Sequence, residues 1–386
     1  MQPARFIGLM SGTSLDGVDA ALVRFDGGDM QLEARRLHPM PASIRQSLRS
    51  IISGSQIDLG ALGALDAALA DLFSEAVLGL LRNADVSATS VRAVGSHGQT
   101  VWHDPDATPP TTLQLGDPNR IAASTGLDVV ADFRRADIAL GGQGAPLAPG
   151  FHAFAFHHPK ESRGVVNIGG MANLTVLEEG GDIQGHDTGP GNVLMDEWAS
   201  EHLGKDHDPN GEWAAGGKPV PDLLEAMLND PWLQRPAPKS TGREHFNRQW
   251  LESFPVHSAD ARDIQATLLA LTVESISREV EAAGCERILV CGGGARNRTL
   301  MSALARRLAP RPVQDTGAHG LDPDWVEAAA FAWLARETLA DRPGNIPAVT
   351  GASRRAILGG VWRGDSPKGE QGRDGQEGNT LTPRST

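Results

Sequence analysis

The sequence predicts an α/β protein of two lobes, with mixed sheets flanked by helices. Three observations carry this expectation. At 386 residues the chain is long for a single core and suits two. Short apolar runs of strand type alternate with runs of helical spacing along most of its length. Two strand pairs join through tight Gly-bearing turns, so the sheets must hold antiparallel as well as parallel neighbours.

The first pair is Phe6 to Phe25, FIGLMSGTSLDGVDAALVRF, in which apolar runs flank the turn SGTSLDG. Gly12 lets backbone N–H groups approach an anion, Ser11, Thr13 and Ser14 offer hydroxyl donors, and Asp16 and Asp19 suit a divalent metal held through water. An ordinary hairpin turn has the same composition. Neither a P-loop lysine nor a G-x-G-x-x-G helix opening is present. Ile57 to Leu81 has the Leu and Ala spacing of an amphipathic helix. Val91 to Ser96 reads as a buried strand, and Thr112 to Leu115 as an edge strand after a Pro-marked loop. The first lobe closes near Phe133, and LGGQGAPLAPG from Leu140 reads equally as a hinge or a rigid turn.

The second pair, VVNIGGMANLTVL from Val165, repeats the plan of strand, Gly turn and strand, with Gly169 and Gly170 at the tip and Asn167, Asn173 and Thr175 as polar partners. Helices are expected near Val193 to His202 and Ile264 to Ala283, while Lys205 to Pro255 shows no clear pattern. RILVCGGGARN, from Arg287 to Asn297, runs from a buried-type strand through Gly292, Gly293 and Gly294 into a helix, a turn suited to a nucleoside or phosphate.

The formal net charge of −13 argues against non-specific nucleic-acid binding. Cys285 and Cys291 are too few for a disulfide framework and are expected reduced. No run reaches the ~20 apolar residues of a membrane span, and the start lacks a secretory apolar segment, so a cytoplasmic protein is expected. The tail, residues 363–386, has almost nothing to bury from Gly364 to Thr386 and is expected to be disordered.

Among candidate side chains, Asp187 in GHDTGPGN precedes a helix, whose dipole would keep it ionised as a general base, although Asp187 or Thr188 would equally serve as a helix cap. Arg134 in DFRR suits a carboxylate, a phosphate oxygen or a water, or else an ion pair with Asp132 or Asp137. Glu327, the only charge in the apolar run WVEAAAFAWLA, reads as a buried acid with a partner or a purpose, or else as part of an exposed helix face. His97 and His103 lack a third metal ligand at a recognisable spacing and suit structural or sugar contacts. Trp102 would stack on a sugar or fill a core.

The strings GLMSGTSLDGVDAALV, SHGQTVWH, QLGDP, DFRRADIALGGQGAPL, NIGGMANLT, DTGPGN and CGGGARN, in this order, closely resemble the anhydro-N-acetylmuramic acid kinases of the sugar kinase, Hsp70 and actin superfamily. The resemblance runs from about Phe6 to Trp362. It implies ribonuclease H-like mixed sheets in two lobes with a nucleotide in the cleft between them: residues 1–135, then mainly 136–362 with a possible C-terminal return to the first lobe. It implies ATP and Mg²⁺, an anhydro amino-sugar substrate and a homodimer. The matching aspartate, Asp187, would activate the water that opens the anhydro ring. Nucleotide contacts are expected at Gly12, Thr13, Ser14, Leu15, Asp16, Gly17, Val18, Asp19, Gly169, Gly170, Asn173, Gly292, Gly293, Gly294 and Asn297. Sugar contacts are expected at His97, Arg134 and Glu327. Two rival readings are a sensor that keeps the cleft without turnover, and a nucleotide-free hydrolase, which would need a second catalytic acid.

Overall fold

The computed structural model describes residues 2–365 apart from Thr13 and Pro238. β1 (Ala4–Met10), β2 (Gly17–Asp26) and β3 (Asp29–Pro39) form an antiparallel meander, and β4 (Val91–Ser96) lies parallel to β1 on its other side. β5 (Gln99–Asp104) and β6 (Thr111–Leu115) make a separate two-stranded ribbon, so the predicted edge strand pairs with its own neighbour. β7 (Val129–Ala131) then continues the first sheet parallel to β4. The second sheet repeats the plan. β8 (Arg163–Ile168), β9 (Met171–Leu177) and β10 (Ile183–Pro190) form a meander, and β11 (Arg287–Cys291) and β12 (Val313–Asp315) add in parallel beside β8. This duplicated mixed sheet is the ribonuclease H-like architecture expected above.

β13 (Gly360–Trp362) pairs antiparallel with β7, which brings the end of the described chain back to the first sheet. Arg363 and the Gly364 N–H both bond the fully buried Asp128 carboxylate, at 2.9 and 3.1 Å. The packed chain therefore extends past the expected start of the tail. Residues 366–386 lie outside the described residues.

Helix Leu59–Ala84 covers one face of the first sheet. It starts two residues later than Ile57 because Asp58 caps it, accepting from the Ala61 N–H at 2.9 Å. Leu69, Phe73 and Leu80 pack there against Ile7, Leu9 and Val94. Helix Val326–Leu339 covers the opposite face. Gly8 and Gly95 are paired across β1 and β4, and side chains at either would run into the backbone of that helix at Ala328 or Phe331. With Ala328, Ala329, Ala332 and Ala335 on the helix, this small-on-small contact lets it lie directly on the sheet. The same core takes in Val165, Leu177 and Leu289 of the second sheet, so the lobes share packed apolar side chains.

Helix Ala261–Ala282 backs the second sheet, together with helix Val193–Leu203. The patternless stretch between 205 and 255 holds helices Glu212–Ala215, Pro221–Leu228 and Arg248–Glu252. It contributes Met227, Trp232 and Phe246 to the core of this lobe. The segment 140–150 is tied down: Gly144 N–H donates to buried Asp137 at 2.8 Å, and Gln143 N–H to the Thr350 carbonyl at 2.8 Å. Those bonds favour the rigid turn over the hinge. Among the described residues no helix is long and apolar enough to cross a membrane.

Candidate active site

A cleft of about 2160 Å³ opens between the two sheets. The first hairpin supplies Ser14, Leu15 and Asp16 to its wall. Its neck is closed by Ser11, whose hydroxyl donates to the Gln99 side-chain oxygen at 2.6 Å and the Gly17 carbonyl at 3.2 Å. Leu15 N–H reaches back to the Gly12 carbonyl at 3.3 Å, with Leu15 itself at φ 59°. A side chain at Gly12 would meet open space, whereas Gly17 and Val18 are strand residues paired with Pro39 and His38. The side chains of Leu15 and Val18 are buried in the core, so among the described residues the open part of the expected phosphate loop narrows to Gly12, Ser14 and Asp16. Thr13 lies outside the described residues.

The second hairpin turns at Gly169 and Gly170, whose carbonyls accept from the N–H groups of Gly191, Asn192 and Val193 at 2.8–3.1 Å. The hairpin tip thus clasps the start of helix Val193–Leu203. Asn167, Asn173 and Asp187 stand opposite one another across β8, β9 and β10, and all three line the cleft. Thr175 lies on the same face two residues along β9, outside the cleft lining, and bonds buried His152 at 2.9 Å.

Asp187 lies within β10, five positions before the helix cap Asn192, and not in a turn against a helix end. The helix N–H groups nearest to it are already bonded to the hairpin. Its carboxylate instead accepts from Thr241 N–H at 2.8 Å and Ser240 Oγ at 3.1 Å, and its own N–H donates to the Lys239 carbonyl at 2.9 Å. Burial raises its pKa, against the opposing pull of those two donors. The expected ground for ionisation, a helix dipole, is therefore replaced by a buried carboxylate steadied by a neighbouring loop. Behind it, Lys239 is only 3% exposed and pairs with Glu279 at 2.6 Å, and Glu279 also meets His186 at 3.0 Å. That buried cluster anchors the loop.

The glycine turn after β11 is tightly fitted. A side chain at Gly292, which sits at φ 77°, would strike Asn167 and the Ile168 carbonyl, and one at Gly294 would strike the Ile168 side chain. Gly293 faces the cleft with Arg296 and Asn297. A short 3₁₀ turn intervenes before helix Arg298–Arg307, whose cap is Asn297, accepting from Leu300 N–H at 3.0 Å.

Arg134 makes neither of the ion pairs considered from the sequence; Arg135 pairs with Asp132 instead, at 3.3 Å. The Arg134 Nε and Nη2 reach His97 Nε2 at 3.1 and 2.8 Å, and Nη1 donates to the Gly144 carbonyl at 2.7 Å. A guanidinium only donates, so His97 must accept at Nε2 and stay neutral. Burial, and then the Arg134 charge, push its pKa well below the usual value. His97 also packs on Phe331, with ring centroids 4.7 Å apart, one helical turn beyond Glu327. Glu327 is solvent-accessible within the cleft yet closely surrounded by protein. That crowding raises its pKa, and Arg134 opposes the rise. His103 bonds Thr112 at 3.0 Å, and Trp102 stands exposed at the cleft edge with its indole N–H on Thr111.

Asp19 is half-buried at the start of β2. Burial, then the charges of Glu327, Asp324 and Asp16, push its pKa up to about 7. This carboxylate would be relieved by a cation. Among the described residues no three His, Cys, Asp or Glu side chains gather as a metal cage, so such a cation would complete its shell with water or phosphate oxygens, as Mg²⁺ characteristically does.

Two copies of one sheet plan facing each other across a cleft, each with a glycine hairpin, define the fold class of sugar kinases and actin-like ATPases. A sequence model of the anhydro-N-acetylmuramic acid kinases matches residues 4–364. The chain belongs to that family and is a phosphotransferase. Among solved structures it is similar to an activator of 2-hydroxyisocaproyl-CoA dehydratase from Clostridium difficile with bound ADPNP, at 15% identity and TM-score 0.43, covering 89% of this chain and 99% of that one. It is also similar to a ROK hexokinase from Thermus thermophilus, at 16% identity and TM-score 0.38, covering 86% and 99%. Likenesses this loose add nothing to the family assignment.

Proposed function

We propose that this kinase couples hydrolysis and phosphorylation of 1,6-anhydro-N-acetylmuramic acid, giving N-acetylmuramic acid 6-phosphate in peptidoglycan recycling. Water forms a bond to the anomeric carbon, the bond from that carbon to O6 breaks, and O6 takes the terminal phosphoryl group of ATP as ADP departs. The water proton passes to Asp187 Oδ. The observation that carries this reading is Asp187 itself, a carboxylate of raised pKa on the cleft wall, fixed by two donors and flanked by Asn173. A carboxylate held in this way is placed to take a proton from water bound in the cleft.

The first hairpin and Asn173 flank the phosphates from either side, Gly169 and Gly170 form the tip of the Asn173 hairpin, and the turn from Gly292 to Asn297, which lines the cleft through Gly293, Arg296 and Asn297, receives the nucleoside. Asp19, with Asp16, is suited to hold Mg²⁺ through water; when bound, the ion neutralises phosphate charge. Arg134, kept in place by His97, and Glu327 face the sugar. The family resemblance further supports a cytoplasmic homodimer.

Incubating the protein with ATP, Mg²⁺ and the anhydro sugar in heavy-oxygen water should give a 6-phosphate labelled at the anomeric oxygen. Unlabelled product would sink the coupled mechanism. At the nucleotide, Gly12→Val should raise the KM for ATP about tenfold, equivalent to about 1.4 kcal/mol. A Cβ at residue 12 has no non-neighbouring protein atom within 4 Å, so the melting temperature should hold. Unchanged KM in the folded variant would remove residue 12 from the phosphate grip.

A further inference from the structure

We propose that Arg243 is a further catalytic residue, carrying the charge of the phosphoryl group during its transfer. The inference rests on the coupled reaction proposed above. Arg243 lies on the cleft wall against the second glycine hairpin: its Nη2 and Nε stand 3.6 and 3.8 Å from the point where a side chain on Gly170 would begin. Among the described residues its guanidinium makes no hydrogen bond and no ion pair, and the residue is exposed. Of the five other Lys and Arg side chains lining the cleft among the described residues, Arg45 bonds the Met40 carbonyl at 3.3 Å, Arg49 stands on helix Ala42–Ile52 of the first lobe, and the remaining three are held. Lys239 is held by Glu279, Arg296 by Asp322 and Asp324, and Arg134 by His97 and the Gly144 carbonyl.

Arg243 also belongs to the loop that steadies the base. Thr241 N–H and Ser240 Oγ hold the Asp187 carboxylate, and Arg243 follows two residues later. One short segment thus links the group that takes the water proton to a guanidinium at the phosphate hairpin. A planar fork of N–H donors matches the oxygens of a phosphoryl group, and its charge grows in value as those oxygens share developing negative charge. The rival role is structural. Asp196 and Glu197 stand near enough for Arg243 to lower both their pKa values against burial, which raises them. A guanidinium placed only to neutralise those acids would not favour the transition state over bound ATP.

The test is steady-state kinetics of Arg243→Ala and Arg243→Lys with ATP and the anhydro sugar, beside binding of ADP with and without aluminium fluoride. We expect kcat to fall by about 10³-fold in the Ala variant, the lower end of what an arginine at a transferring phosphoryl group supplies. The Lys variant should recover part of that loss. Affinities for ADP alone and for the sugar should stay within about threefold, while aluminium fluoride should tighten ADP binding in the wild type and not in the Ala variant. A kcat within threefold of wild type, aluminium fluoride tightening retained in the Ala variant, or a lowered melting temperature that accounts for the loss would overturn the assignment. Should wild-type protein itself form no sugar 6-phosphate, the coupled reaction fails before any variant is compared.

Discussion

Asp187→Asn lowers turnover by ~10²–10⁴-fold, the contribution of a positioned general base, while ATP affinity stays nearly unchanged. The amide is nearly the same size and still accepts from Thr241 N–H through its oxygen, so the loop at 239–241 keeps its place. What it loses is the capacity to take the water proton. The pH profile gives a second readout. Because burial raises the Asp187 pKa, its protonated form persists to higher pH than in an ordinary aspartate, and the rate should fall as pH drops through that raised pKa. In the Asn variant that acid limb should vanish from the residual activity. Sugar phosphorylation near the wild-type rate, or an unchanged acid limb, would remove Asp187 from the role of base.

How far the sequence could lead depended on whether a feature was local. The two hairpins and the strand-to-glycine turn were legible because strand alternation and turn glycines are written in consecutive residues. The residues that hold Asp187 were not. Ser240 and Thr241 lie more than fifty positions away in a stretch without periodicity, and their only mark is a Ser-Thr-Gly composition common to many loops. The basis of the Asp187 pKa was misread for a related reason. Proximity in sequence to helix Val193–Leu203 suggested a dipole, but the N–H groups at its start are taken by Gly169 and Gly170, a partnership between distant segments. Arg134 likewise looked like a grip for an anion or water, or like an ion-pair partner of Asp132 or Asp137; its actual partners, His97 and the Gly144 carbonyl, had no local mark in the sequence. Glu327 stood out as the lone charge in the run from Trp325 to Ala335, yet the reason for the apolarity of that run was hidden. The helix is packed against the first sheet, almost two hundred or more residues before it in the chain, and the cleft face alone can be polar.

Gly8→Ala should be the most damaging small substitution in the first lobe. The added methyl would fall on the Ala328 carbonyl and 2.7 Å from the Ala332 nitrogen, both backbone atoms of helix Val326–Leu339. A flexible side chain could swing aside, but a helix backbone can only move as a body. That helix is buried along most of its length between the sheet and the shared core, so it has nowhere to go without opening packed contacts. The cost should reach about 3 kcal/mol, the upper part of the range for overpacking. A lobe of this size should then melt roughly 6–12 °C lower. The same displacement would move Glu327 and Phe331, so the KM for the sugar should rise together with the loss of stability, in contrast to Gly12→Val. Thermal melts and initial rates measured in parallel decide it: an unshifted midpoint would show that helix and sheet do not meet through backbone at Gly8.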